Sequence, residues 1–250
     1  MLSKVVSNTN IAAQVIFEDN HLIAVNKLPG QITQGDKTGD TPLGDLLKAF
    51  LKEKYRKPGN VFCGTIHRLD RPVSGIVLFA KTGKALERMN EQFRERKVQK
   101  TYWAVVKNKP PHAEETLVHY LNKNENKNKS FASLQPRKDA TRCELSYKLL
   151  ASSEHYHLLE VNPMTGRHHQ IRVQLSAIGC VIKGDLKYGA DRSNSDGSIH
   201  LHARKLNFIH PVKQESVNLT APPPDDPLWN YFMQNLESLR VYHRLRQQHF

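Results

Sequence analysis

The segment from His67 to Ala80 constrains the fold of this chain more than any other feature. It starts with charged residues and continues through Pro72 and Gly75, which favour a loop. The apolar run 76–80 follows at once. A short run of β-branched and large apolar side chains beside turn residues is typical of a buried strand. The sequence therefore predicts a fixed loop that leads directly into the core.

Asp70 is a carboxylate in that loop and lies between Arg68 and Arg71. Nearby positive charge favours the charged form of a carboxyl group, so we expect Asp70 to be ionised at neutral pH. An ionised aspartate on a fixed loop can act as a nucleophile or as a base. The alternative is structural: Asp70 pairs with Arg68 or Arg71 and only holds the loop together.

Apolar patterns along the chain predict more strands than helices. The polar run 122–130 predicts a flexible loop or the tip of a hairpin. Strands broken by a few helices favour an α+β fold with a mainly antiparallel sheet. Further strands are expected at 14–18, 21–25, 100–106, 142–150, 155–161, 200–209 and 216–219.

Four helices are predicted from caps and apolar spacing. The first begins with Thr41 as its N-cap, and the second covers 83–97 with Thr82 as its cap. A third is expected over 168–177. The last closes the chain, and its apolar face contains Trp229, Phe232, Met233 and Leu236.

Length and charge narrow the class of protein. A chain of 250 residues suits one domain, which we place at 14–250 behind a short N-terminal extension, 1–13. Lys and Arg outnumber Asp and Glu by 37 to 24, a net charge of +13. Such a charge favours a polyanionic partner such as nucleic acid, or else serves only solubility. We expect no membrane partner, because no long apolar run or basic amphipathic stripe occurs.

The cysteines and histidines bear on compartment and metal chemistry. Three dispersed cysteines disfavour disulfides and a cysteine-based zinc site, and 1–10 contains no signal-peptide core, so we expect a cytoplasmic protein. A histidine-ligated metal enzyme is an alternative, although no carboxylate or cysteine lies near the histidine pairs at a ligand spacing. Those pairs are 155/157, 168/169 and 200/202.

Residues 67–82 (HRLDRPVSGIVLFAKT) closely resemble the active-site segment of the RluA-like family of RNA pseudouridine synthases. Leu28 is inserted in the family's opening Asn-Lys-Pro-x-Gly turn, and His168 replaces threonine in its Gly-Arg-Thr-His-Gln-Ile-Arg motif. The resemblance covers roughly residues 14–215. Its other segments, in the expected order, are 25–30, 98–104, 165–172, 184–185, 188–189, 201–203 and 210–211.

This resemblance implies a fold and a reaction. The fold is a mixed, mainly antiparallel bent sheet, flanked by helices and divided by a central RNA cleft. The reaction isomerises a uridine in RNA to pseudouridine and needs no cofactor, nucleotide or metal. The sequence agrees, since it contains no P-loop, no dinucleotide-binding glycine motif and no HExxH. The short segment 1–13 leads us to expect a stand-alone catalytic domain without the S4-type domain that many relatives carry.

The resemblance also implies roles for three residues at the reacting atoms. Asp70 is the catalytic carboxylate, which either attacks C1′ of the ribose or takes a proton from C2′. Arg172 is its expected ion partner, because a guanidinium keeps its charge and binds carboxylates well. Tyr102 is expected to stack on the uracil and to assist removal of the C5 proton. Trp103 should then point to the opposite face of the strand, into the core.

Four more residues are expected around the substrate. By resemblance, Arg68 stacks in the place of the displaced base, and His67 supports the catalytic loop. Lys27 and Arg167 are expected to contact phosphates. The RNA is predicted to be a tRNA, slightly favoured over a stem-loop of large-subunit (23S) rRNA, and the protein a monomer. The alternative is an RNA-binding protein that keeps the fold without the reaction.

Overall fold

The computed structural model describes residues 10–36 and 38–247, with side chains described to residue 238. They form one mixed sheet of eleven strands with helices on both faces, which confirms the predicted α+β class. The strands are β1 (Val15–Glu18), β2 (Leu22–Lys27), β3 (Gly64–Thr65), β4 (Ser74–Ala80), β5 (Gln99–Val106), β6 (Glu114–Asn124), β7 (Lys129–Ser133), β8 (Thr141–Ser152), β9 (His157–Pro163), β10 (Leu201–Ile209) and β11 (Ser216–Thr220).

The sheet is antiparallel almost throughout. Its order is β1-β2-β4-β10-β5-β9-β8-β6-β7, with β3 beside β4 and β11 beside β10. Among the named strands, only β4 and β10 run parallel, through the pairs His202–Ser74 and Ala203–Gly75. This junction lies at the centre of the sheet, directly behind the loop that carries Asp70.

The helices cover both faces because the central strands alternate their side chains. Val77 and Phe79 of β4 face one layer, while Ile76 and Leu78 face the other, so all of β4 is buried as predicted. The first layer contains α2 (Leu43–Lys54) and α4 (Gln170–Ala177), and the second contains α3 (Gly83–Arg94) and α5 (Pro227–Gln247). None of the described helices has the length and apolar character needed to cross a membrane.

A short helix precedes the sheet. The single turn α1 (Ile11–Gln14) leads into β1, and Ile11 packs against the core beneath α2. The first strand therefore starts one residue later than predicted. The division of the chain into an extension and a catalytic domain stays a prediction.

The ends of two helices differ from the sequence predictions. Thr41 is not the N-cap of α2, because Pro42 occupies that position and provides no side-chain hydrogen bond. The second helix ends at Arg94 rather than at residue 97, since Arg96 has a left-handed backbone (φ 59°) that stops it. Thr82 caps that helix as expected, accepting a hydrogen bond from Ala85 N at 3.2 Å.

Two further differences lie close to the loop of Asp70. The third helix begins at Gln170 rather than at residue 168, because His169 has a left-handed backbone (φ 54°). Strand β6 was not predicted, since its inward positions include the polar His119 beside Leu117 and Leu121. Residues 122–130 form the tip of the β6–β7 hairpin, which was one of the two predictions for this run, the other being a flexible loop.

Gly75 is required where β4 approaches β10, so Gly75→Ala should strongly destabilise the fold. Its φ is +114°, and a Cβ there would lie 2.5 Å from Ala203 N and 2.8 Å from Ala203 C. The two strands would have to separate, so we expect a loss of roughly 3 kcal/mol or more in the free energy of unfolding. Urea unfolding of the purified variant measures this loss.

Gly179 provides a matched control. It also has a positive φ (+78°), but nothing lies within 4 Å of a Cβ at that position. Gly179→Ala should therefore cost only the backbone strain, about 1 kcal/mol. Equal losses for the two variants would show that strand approach does not explain the need for Gly75.

Candidate active site

Segments far apart in sequence meet in one open cavity of about 290 Å³ beside β5. The loop 67–73 forms one wall, and the segment 163–172 forms another. Asp70, Tyr102 and Arg172 all line this cavity, so the structure brings together the three predicted catalytic residues. The cavity can therefore hold a reacting group between a carboxylate, a phenol and a guanidinium.

Hydrogen bonds to distant segments hold the loop of Asp70. Thr33 Oγ1 lies 3.3 Å from both the N and the O of Leu69, and Val73 N donates to Asp70 O at 3.0 Å. Gly30 N donates to Arg71 O at 2.8 Å. The carboxylate therefore projects from a backbone that is tied on both sides.

Arg71 does not pair with Asp70. Its guanidinium turns to the other side of the loop and binds Asp40 at 2.6 Å and Asp36 at 3.0 Å. Hydrogen bonds from Thr38 and from Arg71 lower the pKa of Asp36 to about 2. Arg71 therefore has the structural ion-pair role, while Asp70 stays free to face the cavity.

Asp70 is instead paired with a buried arginine. Arg172 Nη1 lies 3.1 Å from Asp70 Oδ2, and the Asp70 side chain is 32% exposed. The same guanidinium binds Asp185 more closely, with Nε and Nη2 each 2.7 Å from a carboxylate oxygen. Burial opposes the charge on Arg172, but Asp185 and Asp70 outweigh it and raise the pKa of the guanidinium. Arg172 is thus a permanent cation that binds Asp185 with two hydrogen bonds and Asp70 with one.

His169 is a second group beside Asp70. Its Nε2 lies 3.4 Å from Asp70 Oδ2, and its Nδ1 lies 2.9 Å from the hydroxyl of Tyr188. Burial lowers the pKa of His169 to about 2, and the charge of Arg172 contributes, so the ring is neutral. His169 and Tyr188 both lie in segments that resemble the family, 165–172 and 188–189, but no role was predicted for either.

Tyr102 and Trp103 point to opposite faces of β5, as strand alternation predicted. Trp103 is buried against Trp229 and Phe232 of α5, whereas Tyr102 reaches the cavity. Burial, together with the charge of Asp70, raises the pKa of the Tyr102 phenol. The phenol therefore keeps its proton and presents a neutral ring and hydroxyl to the cavity.

The sequence matches a known protein family over most of the residues that line this cavity. The family model described as RNA pseudouridylate synthase matches residues 21–177, which include Asp70, Tyr102 and Arg172. The chain belongs to the RNA pseudouridylate synthase family. The resemblance found in the sequence is thereby confirmed.

Curated relatives agree with this assignment. Ribosomal large subunit pseudouridine synthase C of Vibrio vulnificus is 33% identical over 83% of this chain and 65% of its own length. tRNA pseudouridine synthase C of Pectobacterium carotovorum is 30% identical over 83% of this chain and 58% of its own. This chain thus spans about two thirds of such relatives, or somewhat less.

The fold is also that of a solved human protein. Human RNA Pseudouridylate Synthase Domain Containing 4 superimposes with a TM-score of 0.74, covering 91% of this chain and 94% of the human chain. Sequence identity is 24%, so this likeness concerns the fold. It agrees with a pseudouridine synthase fold for the mixed sheet and its flanking helices.

Two residues that were predicted to contact the substrate lie at the rim of the cavity. Arg68 and Arg167 are both exposed and line it. They also line a second, more polar groove that continues past Lys123 and His168. Their charges therefore face the space through which a polyanion would reach Asp70.

His67 lies beneath the loop that carries Asp70. Its Nε2 accepts a hydrogen bond from Leu78 N at 3.1 Å, and its ring stacks on Phe93 at 5.0 Å between centroids. Burial lowers the pKa of His67 to about 3, with a contribution from Lys100, so the ring is neutral. These contacts agree with the supporting role predicted for His67.

Lys27 does not contact solvent, so the expectation that it binds a phosphate is wrong. The side chain is fully buried, and Nζ donates to the carbonyls of Leu28, Gln31 and Arg71 at 2.9–3.1 Å. These bonds join the turn after β2 to the residue that follows Asp70. Lys27 therefore holds the loop that carries Asp70 through hydrogen bonds to its backbone.

Replacing Lys27 by methionine should change how stability depends on pH. Burial lowers the pKa of Lys27 from 10.5 to about 7, against the opposing charge of Asp70. Between pH 7 and pH 10.5 the unfolded chain binds more protons at Lys27 than the folded protein does. The free energy of unfolding of the wild type, relative to that of Lys27→Met, therefore rises with pH. Below pH 7 both states carry the proton, and the cost of burying the charge is fully present.

Urea unfolding of both proteins between pH 7 and pH 9.5 tests this prediction. Lys48→Met is the control, because Lys48 is exposed and its pKa is raised by Asp45. Its stability difference from the wild type should stay constant over this range. A constant difference for Lys27→Met as well would contradict a lowered pKa of Lys27.

The histidine pairs of the metal-enzyme alternative have other partners. His200 lies 3.0 Å from both Asn194 and Asp226, and His202 lies 2.9 Å from Ser74 Oγ. In the described part of the chain, no three His, Cys, Asp or Glu side chains form a group that could hold a metal.

Proposed function

We propose that this chain is an RNA pseudouridine synthase in which Asp70 is the catalytic carboxylate. One observation carries the proposal: a partly exposed carboxylate, paired with the buried Arg172, shares a cavity with the phenol of Tyr102. Membership of the pseudouridylate synthase family supports it. The matched segment includes all three residues.

The reaction rearranges one nucleotide without net loss of atoms. The C1′–N1 bond breaks, the uracil turns, C5 bonds to C1′, and the proton on C5 leaves as N1 gains one. The charge of Asp70 serves either route, attack on C1′ or removal of the C2′ proton. The guanidinium of Arg172, 3.1 Å from Asp70 Oδ2, compensates the negative charge of that carboxylate.

Tyr102 serves the uracil rather than the ribose in this proposal. Its flat ring offers a stacking surface, and its raised phenol pKa keeps the hydroxyl as a neutral hydrogen-bond donor. A hydroxyl at the base can also relay the C5 proton once C5 has bonded to C1′. The neighbouring Lys100 lines the same cavity, and burial lowers its pKa.

The target nucleotide has to leave its stack to reach Asp70, which costs a few kcal/mol. Arg68 offsets this cost in the proposal, since it lines the cavity and its planar head can stack on a base in the vacated position. Arg167 contacts a phosphate in the proposal, since it lines both the cavity and the adjoining groove. The net charge of +13 strengthens attraction to the RNA as a whole.

The choice of RNA is the finer part of the proposal. We propose a stem-loop in structured RNA, with tRNA slightly ahead of large-subunit rRNA because a compact enzyme suits a compact substrate. Relatives named for each of the two substrates exist. The enzyme is proposed to act in the cytoplasm as a monomer.

Release of tritium from RNA labelled at C5 of uridine tests the function, because only bond formation at C5 expels that proton. We expect purified protein to release tritium from tRNA and to leave a pseudouridine at one mapped position. Large-subunit rRNA fragments form the second arm, and release from them alone would reverse the choice of substrate. Binding of both RNAs without release from either would favour the non-catalytic RNA-binding alternative.

A further inference from the structure

The ring of His169 lies between the catalytic carboxylate and a buried tyrosine. One nitrogen, Nε2, is 3.4 Å from Asp70 Oδ2, and the other, Nδ1, is 2.9 Å from Tyr188 Oη. His169 is 8% exposed and Tyr188 is 6% exposed, so water does not compete freely for these positions. The backbone of His169 is left-handed (φ 54°, ψ 22°).

Donors and acceptors around Tyr188 determine where the histidine proton lies. Ser130 N donates to Tyr188 Oη at 2.9 Å, so the oxygen already accepts one hydrogen bond. The phenol proton is then directed to His169 Nδ1, which must act as acceptor. A neutral imidazole has one N–H, and with Nδ1 accepting, that N–H is on Nε2 and faces Asp70.

The other tautomer is unfavourable on both sides of the ring. With the proton on Nδ1, the lone pair of Nε2 would face the negative oxygen of Asp70. The phenol proton of Tyr188 would lose its acceptor inside the protein, which costs the desolvation of a buried polar group. A protonated ring is unfavourable as well, because burial, and next the charge of Arg172, lower the pKa of His169.

We propose that Tyr188 is a positioning residue that fixes the tautomer of His169, so that a neutral N–H faces Asp70. Such a donor orients the carboxylate and supports its negative charge without adding a second cation beside Arg172. Tyr188 also contacts that cation, since the Arg172 guanidinium lies 5.1 Å from the centre of its ring. One side chain thus supports both groups that approach Asp70. The catalytic part of this inference depends on the proposed function.

Tyr188→Phe tests the inference because it removes only the hydroxyl and keeps the ring under Arg172. Without a fixed tautomer, an N–H no longer always faces the carboxylate 3.4 Å away, so kcat should fall by about tenfold with KM nearly unchanged. Tyr147→Phe is the matched control. Tyr147 is also buried, and its hydroxyl binds the charged Glu115 at 3.0 Å, outside the cavity.

The kcat of Tyr147→Phe should stay at the wild-type value even if the stability of the protein falls. Equal kcat values for Tyr188→Phe and the wild type, or equal losses in Tyr188→Phe and Tyr147→Phe, would overturn the proposal.

The tautomer can be measured in the unaltered protein by long-range ¹H–¹⁵N NMR of the histidine rings. The signal of His169 is assigned by its absence in His169→Gln. We expect a proton on Nε2 in the wild type and a mixture of tautomers in Tyr188→Phe. A proton on Nδ1 in the wild type would overturn the inference whatever the enzyme does. A wild type that releases no tritium from any RNA would instead overturn the proposed function.

Discussion

Replacing Asp70 by asparagine should abolish pseudouridine formation and leave RNA binding almost unchanged. Asparagine has the shape of aspartate and keeps an oxygen that can accept from Arg172, now 3.1 Å from Asp70 Oδ2. Its uncharged amide can neither attack C1′ nor take a proton from C2′. We therefore expect the single-turnover rate to fall by about 10⁴-fold or more.

The fold should survive this change. Arg172 keeps its two 2.7 Å hydrogen bonds to Asp185, so the buried cation is still paired. The Asp70 side chain is about one third exposed, and removing its charge leaves no buried group without a partner. Urea unfolding should place the variant close to the wild type, and filter binding should give a similar Kd for RNA.

Tritium release under single-turnover conditions measures the effect. Asp36→Asn is the control, because it removes the same charge near the same loop from a residue that binds Arg71. That variant should retain nearly all of the activity. A substantial rate in Asp70→Asn, or a loss of similar size in Asp36→Asn, would contradict the assignment of Asp70.

The strand behind Asp70 was predictable because its signals are local. A continuous apolar run after Pro72 and Gly75 needs no knowledge of distant residues to be assigned to the core. Alternation along β5 likewise separated Tyr102 from Trp103 with only the strand period. The predicted α+β class followed from such runs and is confirmed.

The electrostatics of the site were less predictable because they depend on tertiary contacts. Nothing near Asp185 in sequence indicates that it binds Arg172, and nothing near Lys27 indicates that three carbonyls bury it. A lysine or an aspartate in a loop is more often exposed, so sequence favours that interpretation. Only the packed structure shows which charges face each other.

His169 was missed for a backbone reason. Residues 168–177 have the composition of a helix, so the ring of His169 was placed within a regular turn. His169 instead has a left-handed backbone, so the helix begins two positions later, at Gln170, and the ring lies beside Asp70. Among the described residues, five other non-glycine residues have a positive φ, and they share no sequence pattern that would have predicted the one at His169.

Replacing Arg172 by methionine should both destabilise the protein and inactivate it. The change leaves Asp185, which is 1% exposed, as a buried carboxylate without its guanidinium. Loss of one partner from a buried ion pair typically costs about 3–5 kcal/mol in the free energy of unfolding. Asp70 also loses the cation that supports its charge, so tritium release should fall far more than the loss of folded protein explains.

A double variant separates these two effects. Arg172→Met with Asp185→Leu fills the same buried space with apolar atoms, and such replacements are often neutral for stability. We expect urea unfolding to show most of the lost stability restored, because no unpaired charge stays buried. Activity should not return, since Asp70 still lacks its guanidinium. Recovery of tritium release in the double variant would mean that Arg172 acts only as a structural partner of Asp185 and not on the catalytic carboxylate.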